Sequence, residues 1–112
     1  MLEKKYRIHQ EMQYKKIFSG GKKLVGRYMV LLYMRNELDF SRIGIITSKK
    51  VGKAHERNFA RRRMRAFSRE YFSSIKEGYD MVLIARAVIK AADYAAAVKD
   101  FTILLKKGRL IR

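Results

Sequence analysis

The sequence contains no cysteine and no proline. Lack of cysteine removes disulfides, thiolate metal sites and cysteine nucleophiles together, and fits a reducing compartment. With no proline and only seven glycines, neither a flexible linker nor a low-complexity tail is visible. Acids are scarce, 10 Asp and Glu in 112 residues, and they are scattered with no DxD or ExxH spacing that would mark a metal centre. The two histidines, His9 and His55, lie far in sequence from any candidate nucleophile and read as surface residues, so no catalytic group is expected in the chain. Gly20, Gly21 and Gly26 lack the preceding strand and the lysine pattern of a phosphate-binding or dinucleotide loop. No apolar run approaches the ~20 residues of a membrane span, and the basic N-terminus has no apolar core of a secretion signal. A cytoplasmic protein is expected.

What the chain has instead is positive charge. Its 27 Lys and Arg give a net charge of +17, far beyond what solubility asks of one domain of this length. Residues 1–112 are expected to form a single nucleic-acid-binding domain.

The charge concentrates in residues 49–71, KKVGKAHERNFARRRMRAFSREY. Six arginines fall between Arg57 and Arg69, and Glu56 is the only acid between Lys49 and Arg69. Read as one helix over 54–72, the 3.6-residue period places Ala60, Met64, Phe67 and Tyr71 on a core face. Asn58, Arg61, Arg62, Arg65 and Arg69 gather opposite as a stripe. A solvated helix face normally mixes signs, because like charges at i,i+4 repel. Arg57, Arg61, Arg65 and Arg69 repeat that spacing with no acid between them, so a polyanion is the better reading than solvent. Arginine also suits phosphate bidentately and stacks on bases. Lys49, Lys50 and Lys53 sit at the helix entrance, where the macrodipole favours anions, and with it they are candidates to hold a phosphate.

The other elements follow from pattern. Residues 1–7 are expected to be loosely ordered. Tyr14, Ile17 and Phe18 recur at helical spacing over 9–19, with Gly20 and Gly21 as the stop. Tyr14 and Phe18 share one face, suited either to core packing or to stacking unpaired bases. Residues 27–35 and 41–48 read as two strands joined in an antiparallel hairpin, and 22–25 as a short edge strand. Gly52 permits the turn into the basic helix. Residues 79–87 read as a buried strand, so strand, helix, strand suggests a crossover. The apolar stripe Tyr94, Val98, Phe101, Leu104 and Leu105 predicts a last helix over 93–107, ended by Gly108. The order α-β-β-(β)-α-β-α argues for an α+β fold, a two-layer α/β sandwich with helices covering a small sheet.

These residues resemble the bacterial ribonuclease P protein component, the small basic subunit that assists a catalytic RNA. The resemblance covers nearly the whole chain. Its most specific part is SKKVGKAHERNFARRRMR, residues 48–65, similar to a Ser-Lys-Lys-hydrophobic-Gly turn followed by Arg-Asn-Arg-x-Lys-Arg-x-x-Arg. Arg57, Asn58, Arg61, Arg62 and Arg65 fill the matching positions, whereas Phe59 replaces the second Arg of the signature and Arg63 replaces a commonly apolar residue, which makes Arg63 a candidate substitute contact. His55 and Glu56 also replace commonly apolar residues, and Leu32 lies where a further aromatic is common. Tyr14 to Phe18 resembles the family's aromatic-x-x-aliphatic-Phe helix, and Tyr79 to Arg86 its Tyr-Asp-hydrophobic-Ala-Arg strand.

The resemblance implies a left-handed crossover through the basic helix, against the usual right-handed rule. It also implies two RNA surfaces. The arginine helix and its preceding loop meet the catalytic RNA, while Tyr14, Phe18 and an open sheet face take the single-stranded 5′ leader of precursor tRNA. On this reading the chain serves an endoribonuclease whose chemistry stays with the RNA and its Mg²⁺, with no metal held by the chain and no protein partner. A ribosomal subunit fits the composition equally but not the motif set. A helix-turn-helix DNA module lacks its partner helix, and a membrane-surface helix would need the apolar face that the sheet claims.

Overall fold

The computed structural model describes residues 2–112; Met1, the first of the seven residues expected to be loose, lies outside them. In chain order they form α1 (Glu11–Gly20), β1 (Lys22–Val25), β2 (Met29–Arg35), β3 (Arg42–Ile46), α2 (Ala54–Tyr71), β4 (Tyr79–Ala85) and α3 (Tyr94–Lys107), with short 3-10 turns at Lys4–Tyr6, Lys49–Val51, Phe72–Ser74 and Ala87–Ala91. The helices begin where side chains satisfy free amides. Asp93 accepts from the Ala96 amide at 2.8 Å to start α3. At α2 the Glu56 carboxylate accepts from the Lys53 amide at 2.9 Å.

The sheet runs β1-β2-β4-β3, with β3 parallel to β4 and the other pairs antiparallel. The expected β2–β3 hairpin is therefore not formed. β4 lies between them, pairing Leu83 with Leu31 on one side and with Ile45 on the other. The reason lies in burial. Asp80, Met81, Val82, Leu83 and Ala85 are buried, so β4 needs partners on both edges and takes the centre. The six residues 36–41 are too long to enforce a tight turn, and they pass beneath the start of β4 instead. Asn36 anchors them, its Nδ2 donating to the Asp80 carboxylate at 2.9 Å and to the Phe40 carbonyl at 3.1 Å. Asp80 is also gripped by both Nε and Nη2 of Arg42, at 2.8 and 2.6 Å.

The two sheet faces are unequal. Met29, Leu31, Ile43, Met81, Leu83 and Ala85 pack against Ala60, Met64 and Phe67 of α2 and Ala97, Phe101, Leu104 and Leu105 of α3. Phe67 and Phe101 meet at the centre with ring centroids 4.9 Å apart. The alternate residues Leu32 and Val82 face the other way, under Ile8 and Ile17. There α1 covers only part of the sheet, and Val25 remains 57 % exposed.

Three expectations need adjustment. Tyr71 is only half-buried, and Ser68 joins the α2 core face in its place. On α3, Tyr94 is exposed and Asp100 is buried. The Asp100 carboxylate accepts from the Arg27 and Tyr28 amides at 3.0 and 2.9 Å, tying the β1–β2 connection to α3. The N-terminal segment is tied down rather than loose. Arg7 bridges to Ile43, the Ile8 amide donates to the Ile43 carbonyl at 3.0 Å, and Tyr6 packs on Phe40 and Phe72. This covers the outer edge of β3, which would otherwise be open to pairing.

Candidate nucleic-acid interface

α2 sorts its residues by the helical period. Ala60, Met64, Phe67 and Ser68 are buried, while Asn58, Arg62, Arg65 and Arg69 are exposed and Arg57 and Arg61 half-buried. The half-buried pair is held in place. Arg61 donates from Nη1 to Asn58 Oδ1 and from Nη2 to Thr47 Oγ1, both at 2.8 Å. Arg57 donates to the Gly52 carbonyl at 2.8 Å. Thr47 was not singled out in the sequence, because its role depends on β3 delivering it beside α2. Among the described residues the ion pairs lie elsewhere: Glu11 with Lys15, Asp80 with Arg42, Glu56 with Lys90 and Glu77 with Arg112. None reaches Arg57, Arg61, Arg62, Arg65 or Arg69, so the stripe keeps its mutual repulsion.

Lys49, Lys50 and Lys53 are exposed at the entrance of α2. Gly52 turns the chain there at φ 139°, and a side chain at this position would collide with the Glu56 carboxylate. That carboxylate already occupies the helix N-terminus. It also pairs with Lys90 at 3.4 Å, and the Lys53 amide above all, then Lys90, hold its pKa below the ordinary glutamate value. An anion held by the three lysines would therefore meet their side chains rather than the helix end.

Tyr14 and Phe18 stand on α1 with ring planes 28° apart and centroids at 6.4 Å. They differ in burial. Phe18 is 51 % exposed, whereas Tyr14 is half-buried and donates its hydroxyl to the Ile8 carbonyl at 3.0 Å. Burial raises the Tyr14 pKa, with Arg65 opposing the rise. Gly44 of β3 makes this seat possible, since a Cβ there would lie 2.6 Å from the Tyr14 hydroxyl. A cavity of about 340 Å³ runs beside Tyr14 and is lined also by Ile8, Gly44, Arg65 and Ser68. It brings Tyr14 of α1 and Arg65 of α2 to one opening.

Phe59 and Arg63 lie on the opposite flank of α2. Arg63 donates to the Ala92 carbonyl at 3.0 Å and sits over the Phe59 and Tyr94 rings, at 5.1 and 5.6 Å from their centroids. It is committed to the α3 side and does not join the stripe.

Among the described residues no group of His, Asp and Glu is arranged to hold a metal ion, and no helix is long and apolar enough to cross a membrane.

The fold is shared with known proteins. The family model for ribonuclease P matches residues 2–109. The ribonuclease P protein component of Syntrophomonas wolfei is 42 % identical over 110 residues, covering 98 % of this chain and 92 % of the relative. That of Clostridioides difficile is 37 % identical over 101 residues, 89 % of each chain. The solved RNase P protein of Staphylococcus aureus superposes with a TM-score of 0.87 at 29 % identity, covering 96 % of this chain and 98 % of that one. The Thermotoga maritima protein gives 0.82 at 32 % identity, covering 90 % and 96 %. A basic helix with an unpaired arginine stripe, an aromatic pair across a partly bare sheet, and full-length matches of this kind place the chain in the bacterial ribonuclease P protein component family.

Proposed function

We propose that the chain acts in the cytoplasm as the protein subunit of a ribonuclease P holoenzyme, an endoribonuclease that cleaves precursor tRNA at its 5′ end. The stripe Arg57, Asn58, Arg61, Arg62, Arg65 and Arg69, with Lys49, Lys50 and Lys53, binds the catalytic RNA. Tyr14 and Phe18, with the bare part of the sheet, bind the single-stranded 5′ leader. The observation that carries this reading is the absence of any acid paired with the stripe among the described residues. Such a surface is relieved by phosphates, each contact releasing counterions.

The two surfaces suit different RNA. Arginines oriented on a rigid helix fit the backbone of a folded RNA, and a half-exposed ring such as Phe18 stacks on bases that are already unpaired. The chain supplies no reacting group. It strengthens precursor binding over mature tRNA and screens repulsion between the two RNAs, while hydrolysis belongs to the RNA and its Mg²⁺. A ribosomal role would account for the charge but not for the family membership.

The test is reconstitution. Adding the protein to its cognate catalytic RNA at low Mg²⁺ should raise precursor tRNA cleavage, and no gain would overturn the proposal.

A further inference from the structure

The most exposed aromatic ring on α2 is unexplained by the core or by the stripe. Phe59 is 52 % exposed, although the helix has buried room for Phe67 two turns on. It lines a cavity of about 330 Å³ between α2, the turn at Ala87–Ala91 and α3, together with His55, Ala60, Arg62, Ile89 and Ala97. Two guanidiniums lie over the ring, Arg63 at 5.1 Å and Arg62 at 5.9 Å from its centroid. Arg63 is fixed by the Ala92 carbonyl, whereas Arg62 is exposed. Val88 and Tyr94, 50 % and 41 % exposed, extend the apolar area nearby.

We propose that Phe59 is a stacking platform for an unpaired nucleobase of the RNA that α2 binds, with Arg62 holding the adjoining phosphate. This rests on the assignment of α2 as an RNA-binding helix. The chemistry favours a base over an apolar protein surface. A nucleobase has an apolar face for the ring and a polar edge for the surrounding donors, and its backbone brings negative charge to a groove with more cations than acids. Of the groove's charged side chains, Arg62, Arg63 and Lys90 are cationic, and the one acid, Glu56, is already spent on Lys90 and the Lys53 amide. A second copy of this chain would bring like charge to the same place. The ring is already half exposed, so no rearrangement of the helix is needed for a base to reach it once the exposed Arg62 side chain swings to the phosphate.

The sequence has no tryptophan, so Phe59→Trp installs a single indole at the platform. Its fluorescence is read on titration with the cognate catalytic RNA and, separately, with inorganic polyphosphate. Quenching by RNA and not by polyphosphate is expected, because only RNA carries bases. In parallel, binding of the same RNA is measured for Phe59→Ala and Phe59→Leu. Both should lose roughly 5- to 150-fold in affinity, the range for one stacked base, with an unchanged salt slope since no phosphate contact is removed. Phe59→Trp should bind as well as the parent.

Equal quenching by the two polyanions, no quenching, or full affinity in Phe59→Leu would each overturn the platform. So would a protein dimer by sedimentation that Phe59→Ala makes monomeric with RNA affinity intact, which would make the groove a protein interface. If the parent protein binds the RNA with a steep salt slope and only the Phe59 results fail, the stripe assignment survives. If the parent binds no RNA, both fall.

Discussion

Replacing Arg61, Arg62 and Arg65 together with Ala tests the stripe where it is densest. Arg62 and Arg65 are exposed, and Arg61, though held by Asn58 and Thr47, keeps its charge. None has an acidic partner among the described residues, so each is free to neutralise a phosphate. Loss of a phosphate contact lowers the salt slope by roughly 0.7 to 0.9, which makes the expected change about 2 to 3 for the three. Over a fourfold rise in salt, the parent should then lose about 20- to 40-fold more affinity than the variant. Binding to the catalytic RNA is followed by anisotropy from low to moderate salt. Thermal denaturation is run alongside, because Thr47 and Asn58 lose their shared partner, and a lost hydrogen bond costs roughly 1 kcal/mol. A variant that folds and binds more weakly at the parent's slope would show that these charges are merely solvated.

Phe18→Ala should weaken leader-bearing precursor tRNA more than mature tRNA, by the roughly 5- to 150-fold that one stacked base contributes; equal losses for the two substrates would remove the leader cleft. Asp100→Ala leaves the Arg27 and Tyr28 amides without their buried acceptor, and a loss of about 2–4 kcal/mol in urea denaturation is expected; a change under about 0.5 kcal/mol would mean water serves equally well. The depressed pKa of Glu56 makes its contribution complete above the ordinary glutamate value of about 4.3 and lost as pH falls through the lower folded value. Parent and Glu56→Gln should accordingly differ in melting temperature near neutrality and converge as pH falls through the depressed folded value, below the ordinary glutamate range, and a difference that stays constant into acid would contradict the cap.

Periodicity made α2 legible before any coordinates. Its boundaries and its split into buried seam and arginine stripe depend on the helix alone, and only Tyr71 and Ser68 exchanged roles, both near its last turn. The sheet order was not legible. Residues 27–48 carry two strand patterns and a polar loop, and chain neighbours pair by default. What displaced them was the greater burial of β4, a comparison between distant segments. Asp100 and Thr47 escaped notice for a similar reason, since their partners come from β1–β2 and α2. The cleft was half legible. The Tyr14 and Phe18 spacing put both rings on one face, but only Gly44 and the Ile8 carbonyl decide that Tyr14 is seated and Phe18 stays open.

The central place of β4 also sets the order of events during synthesis. β2 and β3 touch the same strand and not each other, so β1 and β2 can pair early but β3 cannot join them before β4 has been made. At roughly 5–20 residues per second, that leaves about 2 to 8 seconds after Ile46 in which the arginine segment is translated without β4 to complete the sheet beneath it. Long-range parallel pairing is slow in any case. Through that interval the charge of the arginine segment is already complete, while the β4 surface against which its apolar face packs is still missing.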